Sequence, residues 1–454
     1  MELKDLKRIY FIGIGGIGMS ALARYFNGRG IEVHGYDLNQ TNLTEQLSKE
    51  GMHIHYDEDL SKIPEAVDLV VFTPAVPDSH EELVWFREQN YPVMKRAEIL
   101  GLISRGMKTI AIAGTHGKTT TSTMVTHVLR SCGLDCSAFL GGIAGNFDSN
   151  FVEGKSEWVV VEADEYDRSF LQLSPDIATV SSIDADHLDI YETAEFMENA
   201  YREFLLKVKP DGKVFVNQKI KKKLVSKEVR KKVDINSFGQ GRADIGARKV
   251  RVKKGQFVFD IRSIYGDFDN VELPMPGKHN VENATAAISI ALHLGLKKKK
   301  IMKALAGFKG VKRRFEFIIR EKKLVFIDDY AHHPEELNST IKAARNLYPK
   351  KKITGVFQPH LFSRTKDFAT EFAAALDQLD ACVLLGIYPA REEPIPGISS
   401  MTILEQMENQ NAQMLTKNEL ADYLINEEID VLMTMGAGDI DKLVPEIAKI
   451  LKHK

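Results

Sequence analysis

Lys108-Thr109-Ile110-Ala111-Ile112-Ala113-Gly114-Thr115-His116-Gly117-Lys118-Thr119-Thr120 is the stretch from which the rest of the chain is read. Its first half has the unbroken apolar character of a parallel strand buried on both faces. Two glycines then frame a short loop, and a helical run begins at Lys118. Backbone N–H groups of such a loop cradle phosphates, a lysine neutralises the β- and γ-phosphates, and the next hydroxyl sits on magnesium. The spacing is GxxGKT, shorter than the usual GxxxxGKS/T. The stretch predicts a nucleotide held by Gly114, Thr115, His116, Gly117, Lys118, Thr119 and Thr120.

Two further apolar runs end in loops and lead into amphipathic stretches: Arg8–Gly13 and Lys323–Asp328. Each marks the start of an α/β unit. Further strands are expected at Ile31–Tyr36, Asp68–Phe72, Trp158–Glu162, Ile177–Ile183, Lys352–Phe357, Ala381–Leu385 and Asp430–Met435. Val214–Leu273 differs: it alternates, as in Arg248–Ile261, and reads as antiparallel strands appended to the middle of the chain. At roughly 150 residues per domain, the 454 residues suggest about three domains. The expectation is an α/β protein with a Rossmann-like domain over residues 1–106. A central phosphate-loop domain over 107–314 carries a mostly parallel sheet with a small antiparallel part, and a Rossmann-like domain covers 315–454.

The first loop, Gly13-Ile14-Gly15-Gly16-Ile17-Gly18-Met19-Ser20, follows a strand and opens a helix. Glycines there allow a tight turn and bring backbone N–H groups to a pyrophosphate. Asp37 closes the next strand, where a carboxylate takes a ribose hydroxyl. Alone, this loop predicts NAD.

Hydrophobic residues make up 44% and charged residues 27%, an ordinary globular composition. With 61 basic and 63 acidic side chains the net charge is -2, so no global field favours nucleic acid or membrane. The lysine clusters at Lys219–Lys232 and Lys297–Lys300 lack interleaved aromatics and read as solvated faces. Cys132, Cys136 and Cys382 form neither a disulfide framework nor a zinc spacing. Glycines interrupt the apolar N-terminal stretch, and no run of 18 apolar residues occurs, so a cytoplasmic protein without membrane insertion is expected.

Two acidic strand ends complete the local signals. Val159-Val160-Val161-Glu162-Ala163-Asp164-Glu165 is a buried strand ending in carboxylates, the expected magnesium ligands beside a phosphate loop, with Glu162 the first choice. Asp164 and Glu165 also fit a solvated turn. Asp184-Ala185-Asp186-His187-Leu188-Asp189 adds a histidine among acids, tolerable though unusual for a hard ion.

GTHGKTT, EADE, DADHLD and Gly277-Lys278-His279-Asn280-Val281-Glu282-Asn283 together resemble the Mur ligase family. Four C-terminal segments point to its alanine-adding branch: Gly310–Glu316, Asp328–Pro334, Phe357–His360 and Gly436–Ile440. The resemblance spans essentially the whole chain. It implies an ATP- and Mg²⁺-dependent ligase that joins the carboxylate of UDP-N-acetylmuramate to L-alanine through an acyl phosphate, for peptidoglycan synthesis. The glycine-rich N-terminus then becomes a UDP-sugar site carried by Gly13, Gly15, Gly16, Gly18, Met19, Ser20 and Asp37. His279, Asn280 and Asn283 would surround the adenine, Arg314 reach the γ-phosphate and Asp329 the ribose. Thr119, Glu162 and His187 would hold magnesium, and Tyr330, His360 and Arg364 would line the amino-acid pocket. Lys118, His187, Arg314 and His360 are the implied catalytic set, and either histidine is a candidate acceptor for the amine proton. Arg313–Glu316, expected to be flanked by ATP contacts, reads as a hinge.

The sequence departs from the pattern at Leu361, where the family often has arginine after the histidine, which puts one carboxylate contact in question. Arg202 lies near where sister ligases carry a carbamylated lysine, a residue the alanine-adding branch commonly lacks. Three other readings stay open: a ligase recycling a preformed tripeptide onto the same sugar, an NAD-dependent oxidoreductase with a regulatory ATPase domain, and a non-catalytic nucleotide switch. The Gln358-Pro359-His360 segment argues against the first, the lack of a hydride site against the second, and the polar cluster at Asp328–His333 against the third.

Overall fold

The computed structural model describes residues 3–184, 191, 193–253, 255–390 and 392–453. Three sheets lie in two compact units. The first unit comprises Met1–Val250, Phe259–Glu272 and Val281–Lys309, and the second Arg251–Val258, Leu273–Asn280 and Gly310–Lys454.

The first sheet is wholly parallel, with β1 (Arg8–Ile12), β2 (Glu32–Tyr36), β3 (His53–His55), β4 (Leu69–Phe72) and β5 (Val93–Lys95) in the order β3-β2-β1-β4-β5. The order reverses at β1, and ligands of such open sheets bind outside the strand C-termini at that switch. Ile9 and Phe11 face one hydrophobic layer, Tyr10 and Ile12 the other, so the strand is apolar throughout.

The second sheet holds ten strands: β6 (Lys108–Ala113), β7 (Ser137–Ala144), β8 (Ser149–Val152), β9 (Trp158–Ala163), β10 (Ile177–Val180), β11 (Lys213–Asn217), β12 (Asp234–Gln240), β13 (Ile245–Lys253), β14 (Gln256–Ser263) and β15 (Phe268–Leu273). Their order is β15-β14-β13-β12-β11-β10-β6-β9-β7-β8, which places the phosphate-loop strand β6 between β10 and β9. Val214–Leu273 is not antiparallel throughout, as its alternation suggested. β11 pairs parallel with β10 and β12, and β12 pairs parallel with β13. Val214, Phe215 and Val216 are buried on both faces, which extends the parallel core through this segment. β13 and β14 are neighbours joined by two residues, a link that only an antiparallel hairpin can make.

These two sheets share one unit because the glycine-loop helix, Ile17–Asn27, is docked onto β7 and β8. Tyr25 packs against Phe139 and Phe151 with ring centroids 5.3 and 6.0 Å apart. Asn150 is fully buried; its amide donates to the Ile17 carbonyl and, at 2.8 Å, to the Ser20 hydroxyl, and it accepts from Arg24.

The third sheet contains β16 (Glu316–Arg320), β17 (Val325–Asp329), β18 (Ile353–Phe357), β19 (Ala381–Leu384), β20 (Ala412–Met414) and β21 (Val431–Met435), ordered β16-β17-β21-β18-β19-β20. It is parallel except for the edge strand β16. Arg313–Glu316, expected to act as a hinge, is bonded to the third sheet. Arg313 donates to the buried Asp328 at 3.1 Å and to the Gly436 carbonyl at 2.6 Å, and the Phe315 N–H donates to Asp329 at 2.7 Å. Arg313 and Phe315 both sit in the left-handed region, at φ 60° and 51°. Those anchors hold that costly geometry in place. Among the described residues, no helix is long and apolar enough to cross a membrane.

Candidate functional site

In the first unit the phosphate loop leaves the carboxyl end of β6. Gly114 and Gly117 have φ values of 137° and 80°, which a side chain would strain. The end of β10 braces the loop: the Ser182 hydroxyl lies 2.8 Å from that of Thr115 and accepts the His116 N–H at 2.9 Å, and the Ser181 hydroxyl donates to the His116 carbonyl at 2.8 Å. Sequence reasoning missed both serines, although they continue an apolar strand just as the carboxylates after β9 do.

Lys118 opens helix Lys118–Cys132. Its ammonium donates to the Gly114 carbonyl at 2.9 Å and to Glu165 Oε1 at 2.7 Å. Burial opposes its charge, but Glu165, Asp164 and Glu162 outweigh burial and raise its pKa. Glu165 is therefore no solvated turn residue: it is fully buried, and its second oxygen has no hydrogen-bond partner among the described residues. Thr119 donates to Glu162 Oε1 at 3.0 Å, while Glu162 Oε2 accepts the Gly141 N–H at 2.9 Å. The expected metal ligands Thr119 and Glu162 thus meet, two hard oxygens of the kind Mg²⁺ takes. The third expected ligand, His187, lies outside the described residues. Asn283, on the adjoining helix, comes up against Gly117, where an added β-carbon would lie 2.7 Å from its Oδ1.

Gly16, Gly18 and Met19 line a cavity of about 300 Å³ whose other walls include Thr73, Arg96, Phe139, Glu162 and Asp164. The glycine loop and Glu162 thus face the same space. Two expected ligand residues are engaged within the protein. Ser20 is buried in the seam with Asn150, because its hydroxyl donates to the Gly16 carbonyl and accepts from Asn150. Asp37 accepts from the Gly15 N–H at 2.7 Å and from the Asn39 N–H at 3.1 Å, closing the loop.

The second unit gathers a polar cluster at the carboxyl ends of β17 and β18. Tyr330 lies beneath the guanidinium groups of Arg313 and Arg314, at 5.2 and 5.1 Å from its centroid. Tyr330 and His332 make an edge contact at 5.1 Å, His332 and His360 at 5.9 Å, and Arg364 approaches His360 Nδ1 at 3.4 Å. The proposed amino-acid residues Tyr330, His360 and Arg364 are therefore brought together, with His332 added between them. Burial pushes His332 below the ordinary imidazole value, so it is neutral near pH 7. Leu361 takes the left-handed φ of 73° that starts the helix carrying Arg364.

Arg314 sits 3.8 Å from Glu336. Asp329 is buried, with one oxygen on the Ala331 N–H and the other on the Phe315 N–H, both at 2.7 Å, and burial raises its pKa to about 6. Its carboxylate thereby shapes the turn after β17. Asn280, also buried, donates its amide to the Pro276 carbonyl at 2.6 Å.

Comparison with known proteins covers nearly the whole chain. The family model described as Mur ligase family, catalytic domain, matches residues 8–108. Mur ligase middle domain matches 112–291, and Mur ligase, glutamate ligase domain, matches 313–438. A UDP-N-acetylmuramate–L-alanine ligase of Flavobacterium psychrophilum is 47% identical over 458 residues, covering 100% of both chains. That of Porphyromonas gingivalis is 46% identical, covering 98% of this chain and 99% of its own. The crystal structure of a UDP-N-acetylmuramate–alanine ligase from Thermotoga maritima superposes with a TM-score of 0.85 at 28% identity, covering 98% of this chain and 99% of that one. A murein peptide ligase from Psychrobacter arcticus shares the fold, with a TM-score of 0.71 at 21% identity over 99% of each chain.

Proposed function

The chain belongs to the Mur ligase family, and from that premise we propose that it joins L-alanine to UDP-N-acetylmuramate at the expense of ATP, in the cytoplasm, as a step of peptidoglycan synthesis. The observation that carries this reading is the cavity with the glycine loop on one wall and Glu162, bonded to Thr119, on the other. A UDP-sugar seated at Gly13–Gly18 can direct its acid toward a triphosphate held at Gly114–Thr120. We take the chain as three domains, 1–106, 107–314 and 315–454, binding the sugar, ATP and the amino acid respectively.

A free carboxylate acylates poorly because its leaving group would be oxide. Transfer of the γ-phosphoryl group to a carboxylate oxygen gives an acyl phosphate and ADP. Lys118 and Arg314 offset the charge that makes the two anions repel. Thr119, Glu162 and His187 would hold Mg²⁺, which when bound neutralises phosphate charge. The neutral amine of L-alanine then attacks the carbonyl carbon, inorganic phosphate leaves, and the amine proton passes to a base. His332, kept neutral by burial, and His360 beside it are suited to take that proton. Arg364 offers a fork for the amino acid's carboxylate.

Phosphate release with ATP, Mg²⁺ and UDP-N-acetylmuramate, scanned across amino acids and a free preformed tripeptide, tests the assignment. L-alanine is expected to drive turnover and Lys118→Ala to abolish it. Turnover with tripeptide but not with L-alanine would move the chain to the recycling reaction, and full activity of a folded Lys118→Ala protein would end the phosphoryl-transfer reading.

A further inference from the structure

The cavity between the glycine loop and the metal-site acids is lined by Glu162 and Asp164, and Arg96 is its one basic side chain among the described lining residues. We infer that Arg96 is the cation that receives an acidic group of the UDP-sugar, its diphosphate or its lactyl carboxylate; this deepens the function proposed above and rests on it. Arg96 is the first residue of helix Arg96–Gly106, directly after β5. Leu100, one turn on, lines the same cavity and fixes which face of that helix is presented.

The guanidinium lies flat against Gly18. A β-carbon there would stand 2.9 Å from Arg96 Nη1 and 3.1 Å from Cδ, so the bare backbone at Gly18 is what admits the arginine. Its five donors make no hydrogen bond among the described residues, although the side chain is only 22% exposed. The one ionic partner, Asp164, stands off at 3.6 Å. A half-buried fork with unused donors, steadied by a distant carboxylate, is prepared to take a planar or tetrahedral oxyanion in two parallel bonds. The need for it follows from charge: a diphosphate and a carboxylate must enter a space that already holds two acids and faces a triphosphate. Lys118 is held on the phosphate-loop side by the Gly114 carbonyl and Glu165 and does not line this cavity.

Calorimetric titration of the full chain tests this with UDP-N-acetylmuramate, UDP-N-acetylglucosamine and a non-hydrolysable ATP analogue, on the parent protein and on Arg96→Gln and Arg96→Lys. Losing a charge-assisted fork weakens binding by roughly 10- to 100-fold. Arg96→Gln is expected to lose that much affinity for UDP-N-acetylmuramate while binding the ATP analogue within twofold of the parent. Arg96→Lys keeps the charge without the fork and should fall between. UDP-N-acetylglucosamine has the diphosphate but no carboxylate, so an equal loss places Arg96 on the diphosphate and an unchanged affinity places it on the acid. A folded Arg96→Gln that binds UDP-N-acetylmuramate like the parent overturns the inference; if that variant does not fold, an unaltered Arg96→Lys does so instead. A parent chain that binds no UDP-sugar would instead defeat the underlying functional reading.

Discussion

Gly141→Ala isolates the positioning of the metal-site carboxylate from everything else in the first unit. Gly141 lies in β7, and its N–H holds Glu162 Oε2 at 2.9 Å. A β-carbon on Gly141 would lie 2.7 Å from Glu162 Cδ and 2.8 Å from Oε1. Ordinary contact begins near 3.4 Å, so the carboxylate must shift by on the order of 1 Å from the position in which it bonds Thr119. A displacement of that size in a positioned catalytic group costs about 10²-fold in rate, or about 2.7 kcal/mol of activation free energy. Stability should not fall with it: Gly141 has no positive φ, and Gly→Ala at a compatible position is neutral or stabilising by up to about 1 kcal/mol. The assay is steady-state phosphate release against Mg²⁺ concentration, alongside thermal melting. The expected result is a kcat lower by roughly two orders of magnitude, a higher Mg²⁺ requirement and an unshifted melting temperature. Gly141→Ala working at the parent rate with the parent's Mg²⁺ dependence would refute the claim that Glu162's placement limits the reaction.

Other substitutions test other layers. Glu82 is fully buried, bonded to the Tyr10 hydroxyl at 2.7 Å, and burial raises its pKa from 4.5 to about 7. A raised acid pKa contributes stability that is complete below the unfolded value and is lost as pH rises through the folded one. Glu82→Gln, a mimic of the protonated acid, should therefore stabilise by roughly 3 kcal/mol at pH 8.5 and only roughly 1 kcal/mol at pH 5.5, by denaturant unfolding at each pH. Equal effects at the two pH values would show that Glu82 does not titrate there. Asp329→Asn keeps the shape but turns a donor toward the Phe315 or Ala331 N–H, both now bonded to the carboxylate. A loss of about 1–3 kcal/mol is expected in unfolding experiments; a change confined to the KM for ATP would instead favour a contact with the ribose. Asn283→Ala removes the side chain against Gly117. It should raise the KM for ATP several-fold and leave UDP-sugar affinity alone, as measured by titration.

Much of this protein could be read from its residues in order. The continuous apolar runs at Arg8–Ile12, Lys108–Ala113 and Val325–Asp329 became central parallel strands because burial on both faces demands that composition. The phosphate loop, too, is a local device whose glycines, lysine and hydroxyl lie within one turn of each other. Where an environment depends on distant chain, the reading ran out. Alternation in Val214–Leu273 suggested antiparallel pairing, yet β11 is covered on both faces by helices no local pattern reveals. Glu165 fits both a strand-end ligand and a solvated turn in sequence, and the fold buries it on Lys118, 47 positions away. Type and spacing point Asp37 and Asp329 to ribose hydroxyls but do not reveal that both also bond nearby backbone N–H groups. Arg96 carried no motif at all; only the approach of its helix to Gly18 and Asp164 makes it notable. Residue type and near-neighbour spacing determined the strands, the loops and the phosphate site, because those depend on backbone geometry within a few residues. Which charges stand together, and which are already spent, was decided by tertiary packing, since that pairing joins groups the chain separates by tens of residues.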